Sequence, residues 1–470
     1  MTAVEPAGVP TPASTRVVIE GCAIATADPN DTELAAGHLI IEGGRIVAIG
    51  PGDAPRDRPA DRYVDGTGCL ATPGLVNTHH HLYQWATRGY AQEGTLFEWL
   101  TELYPIWARI DAEVVAASAA AGLGWLALAG CTTTTDHHYV FPHGAGDLLA
   151  AEIESASRIG LRFHPCRGSM DLGKSAGGLP PDEVVEDRDT VLAATEDAID
   201  RYHDPEPGSM LRIAVAPCSP FSVTGELMRE SAALARRKRV RMHTHLAETV
   251  EEAAFCRERF GATPVDYVDE LGWLGPDVWL AHAVHLDFAA VAKLAATGTG
   301  VAHCPTSNAR LGAGIAPIRA LLGAGAPVGL GVDGAASNEQ NSMADELRAA
   351  VFSARLRGGR PSALTVRDAL ALGTIGGARC LGREDEIGSL EPGKLADIAL
   401  WRLDELGHAG IADPVAALVF GARPPLALLL VGGRTVVEDS ELRTASADEL
   451  ARAARAASTR LTEAVAGGVP

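Results

Sequence analysis

Most of the chain alternates short apolar runs of β-strand character with longer amphipathic helical segments. A first strand ends just before His79, and seven further strand-like runs follow, at residues 132–136, 161–165, 212–216, 240–245, 278–282, 300–304 and 327–332. The helical segments before them lie at residues 113–129, 150–158, 191–201, 226–235, 264–271, 286–296 and 315–323. Repeated units of this kind build a parallel sheet with helical crossovers. Eight strands therefore predict an α/β fold with a closed (β/α)8 TIM-like barrel, and an open doubly wound sheet is the alternative.

The two ends of the chain share a second pattern. Short β-rich runs occupy residues 16–26, 38–49, 397–402 and 427–437. Gly43-Gly44 interrupts the second run and Gly432-Gly433 the fourth, which predicts a hairpin turn at each pair. We therefore expect one sheet, built from both termini, beside the central barrel. A solvated surface helix is expected at residues 447–464.

The balance of charge narrows the class of partner. The chain has 40 Lys and Arg against 60 Asp and Glu, a net charge of −20 that disfavours nucleic acid and anionic membranes as partners. A small neutral or cationic molecule fits better. Residues 114–131 form the longest apolar stretch, but their Ala and Gly content is typical of a buried helix rather than a membrane span.

Two further features bear on the compartment. The start, MTAVEPAGVPTPASTR, lacks a basic segment followed by an apolar core, so a cytoplasmic location is expected. The eight cysteines include no CxxC pair. Neither a disulfide framework nor a cysteine zinc site is therefore expected.

Alternating histidines end the first barrel strand, where residues 71–84 read ATPGLVNTHHHLYQ. Residues i and i+2 of a strand face the same side, so His79 and His81 should lie side by side while His80 points away. Two neutral imidazoles can bind a divalent metal such as zinc or iron if more ligands come from elsewhere. An HxH pair alone is equally compatible with histidines that only form hydrogen bonds.

Later strands end in the same types of residue. The segments RVRMHTHLAE, VWLAHAVHL, VAHCPTSN and VGLGVDGAASN end in histidine or aspartate. Catalytic groups of a barrel lie at the carboxyl ends of its strands, so these side chains should meet at one metal site with an open position for water. Its expected ligands are His79, His81, either His243 or His245, and Asp333.

The neighbouring residues suggest how such a site would react. A metal of this kind lowers the pKa of bound water from about 15.7 toward about 7, which supplies hydroxide at neutral pH. Glu248 can take a proton from the water and deliver it to a ring nitrogen or to departing ammonia. His282 can hold the hydroxide or polarise the group under attack. A structural role is expected for His137 and His138, with lining of the pocket as the alternative, and His303 is expected to support the site or bond the backbone rather than bind the metal.

Five motifs in this order resemble the amidohydrolase superfamily, in its deaminase and chlorohydrolase branch: PGLVNTHHH, HTHLAE, LAHAVHL, HCPTSN and GVDGAASN. The likeness covers nearly the whole chain, because GGRIVAIG and SLEPGKLADIALW are similar to that family's composite β-sandwich. It implies a β-sandwich domain from residues 1–70 and 386–445, a metal-dependent barrel from 71–385, and a helix and tail at 446–470.

The resemblance also implies roles. Members of this branch are mononuclear hydrolases, and by this likeness the metal ligands are His79, His81, His245 and Asp333. Glu248 then becomes the proton shuttle and His282 the partner of the hydroxide. Binuclear relatives carry a bridging lysine, which the corresponding runs RFHPCRG and AVAPCSP lack. One divalent metal is implied, with Zn²⁺ expected and Fe²⁺ as the alternative, and a homo-oligomer is expected.

Within the branch, LFEWLTELYPIWARI, TTTTDHHYVFP and RFHPCRGSMDLGKSAGGLPPD resemble bacterial 8-oxoguanine deaminases and, less closely, s-triazine hydrolases. The implied reaction is hydrolytic deamination of an amino-substituted, purine-like heterocycle, with 8-oxoguanine giving urate and ammonia. The alternatives are hydrolysis of a chloro- or amino-s-triazine and deamination of guanine or isocytosine-like bases. A catalytically silent relative that only binds a ligand also remains open.

The same segments suggest the substrate pocket. Gln84 corresponds to the glutamine that reads the purine edge in guanine deaminases, and its amide suits a lactam–amidine edge because it offers both a donor and an acceptor. The arginine that binds guanine is absent, and Cys218 lies near its place, which disfavours guanine itself. Further suggested contacts are Tyr104, Trp107, Arg167 and Ser169, of which an aromatic side chain could stack on a flat heterocycle.

Overall fold

A computed structural model describes residues 15–466 of the protein. The proline-rich start at residues 1–14 and the last four residues of the expected tail, 467–470, lie outside the described residues. The described chain forms a closed barrel of parallel strands and a separate sheet that both ends of the chain contribute.

The strands follow one another in three groups. The N-terminal group is β1 (Arg16–Ala25), β2 (Glu33–Glu42), β3 (Arg45–Pro51), β4 (Arg62–Asp65) and β5 (Cys69–Pro73). The barrel group is β6 (Leu75–Asn77), β7 (Cys131–His138), β8 (Arg162–Ser169), β9 (Ala214–Pro217), β10 (Met242–Leu246), β11 (Val278–His282), β12 (Gly300–His303) and β13 (Val328–Leu330). The C-terminal group is β14 (Ile398–Arg402), β15 (Leu426–Val431), β16 (Arg434–Glu438) and β17 (Glu441–Leu442).

The helices lie mainly between the barrel strands. They are α1 (Leu96–Trp107), α2 (Ala112–Leu128), α3 (Leu148–Ile159), α4 (Arg188–Tyr202), α5 (Gly225–Lys238), α6 (Val250–Phe260), α7 (Pro264–Glu270), α8 (Phe288–Thr297), α9 (Pro305–Arg310), α10 (Ile318–Ala324), α11 (Met343–Gly358), α12 (Val366–Ala371), α13 (Gly377–Cys380), α14 (Pro414–Phe420) and α15 (Ala447–Ala466). Short 3₁₀ turns span Leu82–Thr87, Lys174–Ala176, Asp182–Val184 and Pro361–Ala363, and a π turn spans Leu372–Gly376.

Local sequence explains where many of these helices begin and end. A side-chain oxygen caps the first turn at Asp111, Asp147, Asp187, Thr224, Thr249, Thr263, Asp287, Thr365 and Asp413. Such a cap satisfies backbone N–H groups that have no partner inside the helix. Left-handed glycines follow several helices, at Gly160, Gly261, Gly298, Gly325 and Gly359, and end them.

The barrel closes in sequence order, with β13 paired to β6. Asn77, at the end of β6, helps this closure because its Nδ2 donates to Thr134 Oγ1 at 3.0 Å and its Oδ1 accepts from the Val332 N–H at 3.0 Å. The side chain thus ties the first strand to its neighbours on both sides. The predicted (β/α)8 barrel is confirmed, and the open doubly wound sheet is excluded.

The expected sheet from both termini is also confirmed. Its nine strands run in the order β17-β16-β15-β14-β5-β1-β2-β3, with β4 paired to β1, so that the two halves of the expected sandwich form one continuous sheet. The antiparallel pair β5–β14 joins the N-terminal and C-terminal parts. Ile19, Leu39, Leu400 and Leu428 from both parts share one apolar cluster, which removes their side chains from water.

Both predicted Gly-Gly turns exist. Gly43 and Gly44 have φ of 57° and 79°, and Gly432 and Gly433 have φ of 54° and 75°. Glycine adopts this left-handed region without the steric cost that a Cβ brings, and two such residues match a tight antiparallel hairpin. The sheet is fixed to the barrel by a buried bidentate pair, in which Arg162 donates to Asp397 at 2.7 and 3.1 Å.

The longest apolar stretch forms the buried helix α2, as expected. Within residues 15–466, no helix combines the length and the apolar character that crossing a membrane requires. All eight cysteines are described, and each is free and buried.

Candidate metal centre and active site

A cavity opens at the carboxyl ends of the barrel strands. Its wall combines histidine and carboxylate side chains with apolar side chains. The lining residues are His81, Gln84, Leu96, Trp99, Leu100, Tyr139, Cys218, Phe221, His245, Glu248, His282, Leu311, Asp333 and Ser337. Polar and apolar groups in the wall of one cavity are typical of a small-molecule site.

Three imidazoles and one carboxylate converge at the base of this cavity. His81 Nε2 lies 3.1 Å from His245 Nε2, and the nitrogens of His79, His81 and His245 all lie within 4.8 Å of one another. Asp333 Oδ1 is 3.4 Å from His79 Nε2 and 3.3 Å from His81 Nε2. Ligand atoms of a tetrahedral zinc ion with bonds of about 2.1 Å lie about 3.4 Å apart, so these separations fit a metal of that size.

The hydrogen bonds behind the rings set which nitrogen faces the cavity. His81 Nδ1 lies 2.7 Å from the His137 carbonyl oxygen, and His245 Nδ1 lies 2.7 Å from the Cys218 carbonyl oxygen. A carbonyl only accepts, so each Nδ1 carries the proton and each Nε2 presents its lone pair. Buried His79 Nε2 has no well-formed hydrogen bond to any described group. An unpaired buried nitrogen of this kind suits a metal ligand.

Burial keeps this set in the protonation states that a metal needs. It lowers the pKa of His79, and it lowers the pKa values of His81 and His245 well below their ordinary value. Burial acts to raise the pKa of Asp333, but the surrounding imidazoles, His79 first, favour its carboxylate and hold that pKa well below its usual range. Three neutral nitrogens and one carboxylate form a donor set that zinc or iron accepts.

Asp333 is held in an unusual backbone conformation. Its φ is 63°, in the left-handed region that costs a non-glycine residue energy. Ser307 and Ser337 donate to its Oδ2 at 2.5 and 3.2 Å, and the Gly334 N–H donates to Oδ1 at 2.7 Å. These donors fix the carboxylate toward the imidazoles.

Glu248 and His282 complete the polar wall. His282 Nδ1 donates to Asn308 Oδ1 at 3.0 Å, so its Nε2 carries no proton and lies 3.6 Å from Glu248 Oε2. Burial, followed by the charge of Asp333, raises the pKa of Glu248 well above its ordinary value. Glu252 accepts from the backbone N–H groups of residues 247 and 248 at 2.8 and 2.9 Å, and so holds the loop that carries Glu248.

The structure separates the two histidines of the HTH segment. His245 lines the cavity, whereas His243 lies behind His79 and contacts its Nδ1 at 2.8 Å. His80 points away from the cavity, as expected, and its Nε2 contacts Asn341 Oδ1 at 2.8 Å. His137 Nε2 donates to the Ala216 carbonyl at 2.8 Å while its ring stacks on His245.

Two of the six expected substrate contacts, Gln84 and Cys218, line the cavity. The Gln84 amide lies next to the Tyr83 hydroxyl, yet within residues 15–466 neither its Oε1 nor its Nε2 has a well-formed hydrogen bond. Burial raises the pKa of the Cys218 thiol to about 12, so that group is neutral. The wall therefore offers one unsatisfied amide and one neutral sulfur to a bound molecule.

The other four expected contacts are not among the residues that line this cavity, and their role in binding a substrate stays a prediction. Tyr104 and Trp107 are buried, and their polar atoms already have partners. Tyr104 Oη contacts Met170, and Trp107 Nε1 donates to Thr87 Oγ1 at 3.1 Å. Arg167 forms a bidentate pair with Glu186 at 2.8 and 3.0 Å.

The Ser169 carbonyl accepts from the Cys218 N–H at 2.9 Å, so Ser169 supports the wall from behind. The same helix, α1, instead supplies Leu96, Trp99 and Leu100 to the cavity, from its first turns. Ser307, Asn308 and Ser337 were also missed, although they stand within the HCPTSN and GVDGAASN motifs.

A second buried polar cluster lies beside the first barrel strands. His138 Nε2 donates to the Val140 carbonyl at 2.8 Å, and its Nδ1 contacts Glu152 Oε1 at 2.7 Å. Burial raises the pKa of Glu152 to about 8 and raises the pKa of Asp136 well above its ordinary value. Asp136 Oδ1 accepts from the Leu82 N–H at 2.5 Å and so anchors the turn that carries Gln84.

The chain is similar in sequence to known enzymes. Residues 70–436 match the amidohydrolase family. The chain is 46% identical over 430 residues to the 8-oxoguanine deaminase of Pseudomonas aeruginosa, which covers 91% of this chain and 95% of that protein. It is 39% identical over 436 residues to an isoxanthopterin deaminase from an unknown prokaryotic organism, with 88% and 90% covered.

The fold is likewise similar to solved structures. The crystal structure of an atrazine chlorohydrolase from Arthrobacter aurescens TC1 complexed with zinc superimposes with a TM-score of 0.90 at 36% identity. The similarity covers 94% of this chain and 100% of that one. The two proteins are therefore similar in amino-acid sequence as well as in fold.

Proposed function

The chain belongs to the amidohydrolase family, and from that premise we propose that it is a deaminase of an amino-substituted, purine-like heterocycle, with 8-oxoguanine as its substrate. It is a hydrolase of the metal-dependent class that cleaves C–N bonds. The observation that carries the substrate proposal is the unsatisfied amide of Gln84, which faces the same cavity as the converging imidazoles. A buried amide without hydrogen-bond partners is unfavourable, and a ligand with matching groups removes this cost by supplying the missing hydrogen bonds.

We assign one divalent cation to the four converging ligands. The residues that would hold it are His79, His81, His245 and Asp333. Zinc is the assigned metal, with iron as the alternative, because three nitrogens and a carboxylate match zinc and the zinc-bound relative has the same fold. When bound, such a cation supplies Lewis-acid activation of water at neutral pH.

Glu248 is the proposed carrier of the proton. Water adds through its oxygen to the ring carbon that bears the amine, and the Glu248 carboxylate takes the proton that the water releases. The acid then passes this proton to the adjacent ring nitrogen. Glu248 next carries the second proton of the water from the hydroxyl of the tetrahedral adduct to the amine, so that the C–N bond breaks, ammonia leaves and the water oxygen remains as a carbonyl. Burial raises the pKa of Glu248 well above its ordinary value, which favours the protonated acid that the transfer to the ring nitrogen requires.

His282 is the proposed orienting group. The proton on its Nδ1 is held by Asn308, so its Nε2 offers a lone pair 3.6 Å from the Glu248 carboxylate. That nitrogen can accept a hydrogen bond from the attacking water and direct the second proton of the water away from Glu248 during the attack.

Gln84 and the apolar wall are the proposed substrate-reading elements. The amide can donate to a lactam oxygen and accept from an adjacent N–H, which is the pattern on the edge of an oxo-purine. Trp99, Leu100 and Phe221 line the same cavity and can cover a flat ring. The similarity to the Pseudomonas aeruginosa protein supports 8-oxoguanine over the other bases.

A substrate panel tests this proposal. Purified protein of known metal content would be given 8-oxoguanine, guanine, isocytosine, isoxanthopterin and a chloro-s-triazine while ammonia and chloride release are followed. We expect ammonia from 8-oxoguanine with the highest kcat/KM, and loss of this release after chelation with recovery on adding Zn²⁺. Chloride release from the triazine at a higher kcat/KM would assign the enzyme to the triazine hydrolases instead.

Two expectations about the whole protein stay predictions. A homo-oligomer would be recognised by sedimentation analysis of the purified protein. A cytoplasmic location would be recognised by fractionation of the cells that produce it.

A further inference from the structure

His243 forms a hydrogen-bonded chain with the side chain of His79. Its Nε2 lies 2.8 Å from His79 Nδ1, and its Nδ1 lies 2.8 Å from the carbonyl oxygen of Trp279. Both histidines are buried, and the His243 ring stacks on the Trp279 indole with 4.4 Å between centroids and 16° between planes. Trp279 is itself fixed, because its Nε1 donates to the Thr78 carbonyl at 2.9 Å.

The direction of this chain follows from its last acceptor. A backbone carbonyl only accepts, so the His243 proton lies on Nδ1 and the Nε2 of a neutral His243 offers a lone pair. His79 must then donate from its Nδ1, which leaves the His79 Nε2 without a proton and directed at the Asp333 carboxylate 3.4 Å away. A lone pair at that nitrogen is the requirement for binding a metal.

His79 differs in this respect from the other two imidazoles of the site. His81 and His245 donate their Nδ1 protons to backbone carbonyls, which no substitution removes. His79 alone among these three donates to a side chain. The protonation and the orientation of the ring therefore depend on the identity of residue 243.

We propose that His243 is a positioning residue for the metal site: it accepts the Nδ1 proton of His79 and so fixes the His79 ring with its Nε2 lone pair toward the cation. This inference rests on the proposed function, because it takes His79 as a metal ligand. His243 does not touch the cation or the substrate. Its loss should weaken metal binding rather than remove a catalytic group, and partners of this kind typically change metal affinity by about 10- to 100-fold.

Two substitutions separate the acceptor from the rest of the side chain. The His243→Gln amide can reach the position of Nε2 and accept from His79, whereas the His243→Asn amide is shorter and mimics only the Nδ1 that donates to Trp279. His164→Gln is the matched control, because His164 is also a buried histidine on a barrel strand but contacts Arg383. The affinity of each protein for Zn²⁺ would be measured by competition with a chromophoric chelator, alongside thermal unfolding of the metal-free forms.

We expect His243→Asn to bind Zn²⁺ about 10- to 100-fold more weakly than the wild type, with His243→Gln and the control within about threefold. Equal affinity in His243→Asn and the wild type, or equal loss in both 243 variants, would overturn the proposal. If His243→Asn does not fold, the tautomer of His243 in the wild-type protein tests the proposal instead. In zinc-loaded protein labelled with ¹⁵N-histidine, His243, assigned from the signal that His243→Gln lacks, should be the Nδ1–H tautomer, and an Nε2–H tautomer would contradict the proposal.

The same experiment distinguishes this inference from the proposed function. If His79→Asn binds Zn²⁺ as tightly as the wild type, the assignment of the ligands fails and the inference fails with it. If His79→Asn loses the metal while His243→Asn keeps wild-type affinity, only the inference fails. Two bound cations in the wild type would also overturn it, because His79 Nδ1, His243 Nε2 and His137 lie close enough to hold a second ion.

Discussion

Glu248 Oε2 and His282 Nε2 lie 3.6 Å apart in the wall of the cavity. The imidazole has its proton on the opposite nitrogen, where Asn308 accepts it, so the two facing atoms are both acceptors when Glu248 is ionised. Two facing acceptors beside a proposed metal site suit a water molecule, which has two protons to donate. The pair can therefore orient the water molecule for attack, and Glu248 can also accept its proton.

Replacing Glu248 by glutamine tests the proton step. Glutamine keeps the size of the side chain but cannot take the proton, so we expect kcat to fall by at least about 100-fold while the metal content stays unchanged. Ammonia release and elemental analysis on the same preparation check both outcomes. Glu251→Gln is the matched control, since Glu251 is exposed three residues away and should keep activity within about twofold. A Glu248→Gln enzyme with near wild-type turnover would remove Glu248 from the mechanism.

Replacing His245 by asparagine tests the ligand set. The asparagine Nδ2 can still donate to the Cys218 carbonyl, so the fold should persist while the nitrogen that faces the cavity is lost. We expect the zinc content after dialysis to fall from about one per chain toward zero, and added Zn²⁺ should no longer raise Tm. His164→Asn should keep its zinc, because His164 contacts Arg383 and does not line the cavity. Full zinc occupancy in His245→Asn would contradict the assignment.

Gly334 and Gln84 form a pair that tests substrate reading. A Cβ at Gly334 would lie 1.8 Å from Gln84 Oε1, so Gly334→Ala should push the amide out of its place. We expect kcat/KM to fall by about 10- to 100-fold in Gly334→Ala and in Gln84→Ala, with the double variant no worse than Gln84→Ala.

Gly323→Ala is the control for that pair, since an added Cβ there meets no atom within 4 Å. It should behave as the wild type. Wild-type kinetics in Gly334→Ala would show that the position of the Gln84 amide does not matter for the substrate. Additive losses in the double variant would show that Gly334 acts by another route.

The parts of this structure that the sequence predicts are those with a short-range cause. The alternation of strands and helices gives the barrel, and two Gly-Gly pairs give the hairpins, because each pattern acts through local backbone geometry. The HxH spacing places His79 and His81 on one face for the same reason. The rule that strand ends meet at one edge then brings in Asp333 from the far end of the barrel.

What the sequence does not predict depends on how distant elements dock. Tyr104 and Trp107 stand on the helix that lines the cavity, but the docking of α1 exposes Trp99 and Leu100 to it instead. Arg167 was expected to contact the substrate, but in the fold its guanidinium donates to the Glu186 carboxylate. These contacts are set by the rotation of helices and loops against the barrel, which no local pattern encodes.

The pair of Glu152 and His138 gives a prediction about stability and pH. Burial raises the pKa of Glu152 to about 8, above its ordinary value, so the folded protein favours the protonated acid. Its contribution to the free energy of unfolding is therefore complete below about pH 4.5 and is lost as the pH rises through about 8, by at most about 1.4 kcal/mol per pH unit.

Glu152→Gln is neutral at every pH and keeps a donor for His138 Nδ1. We expect Tm of the zinc-loaded wild type to fall more between pH 5.5 and 7.5 than that of Glu152→Gln, whereas the exposed Glu154→Gln on the same helix should follow the wild type. Parallel pH profiles for wild type and Glu152→Gln would mean that the buried carboxyl is ionised in the fold, with His138 as its charged partner.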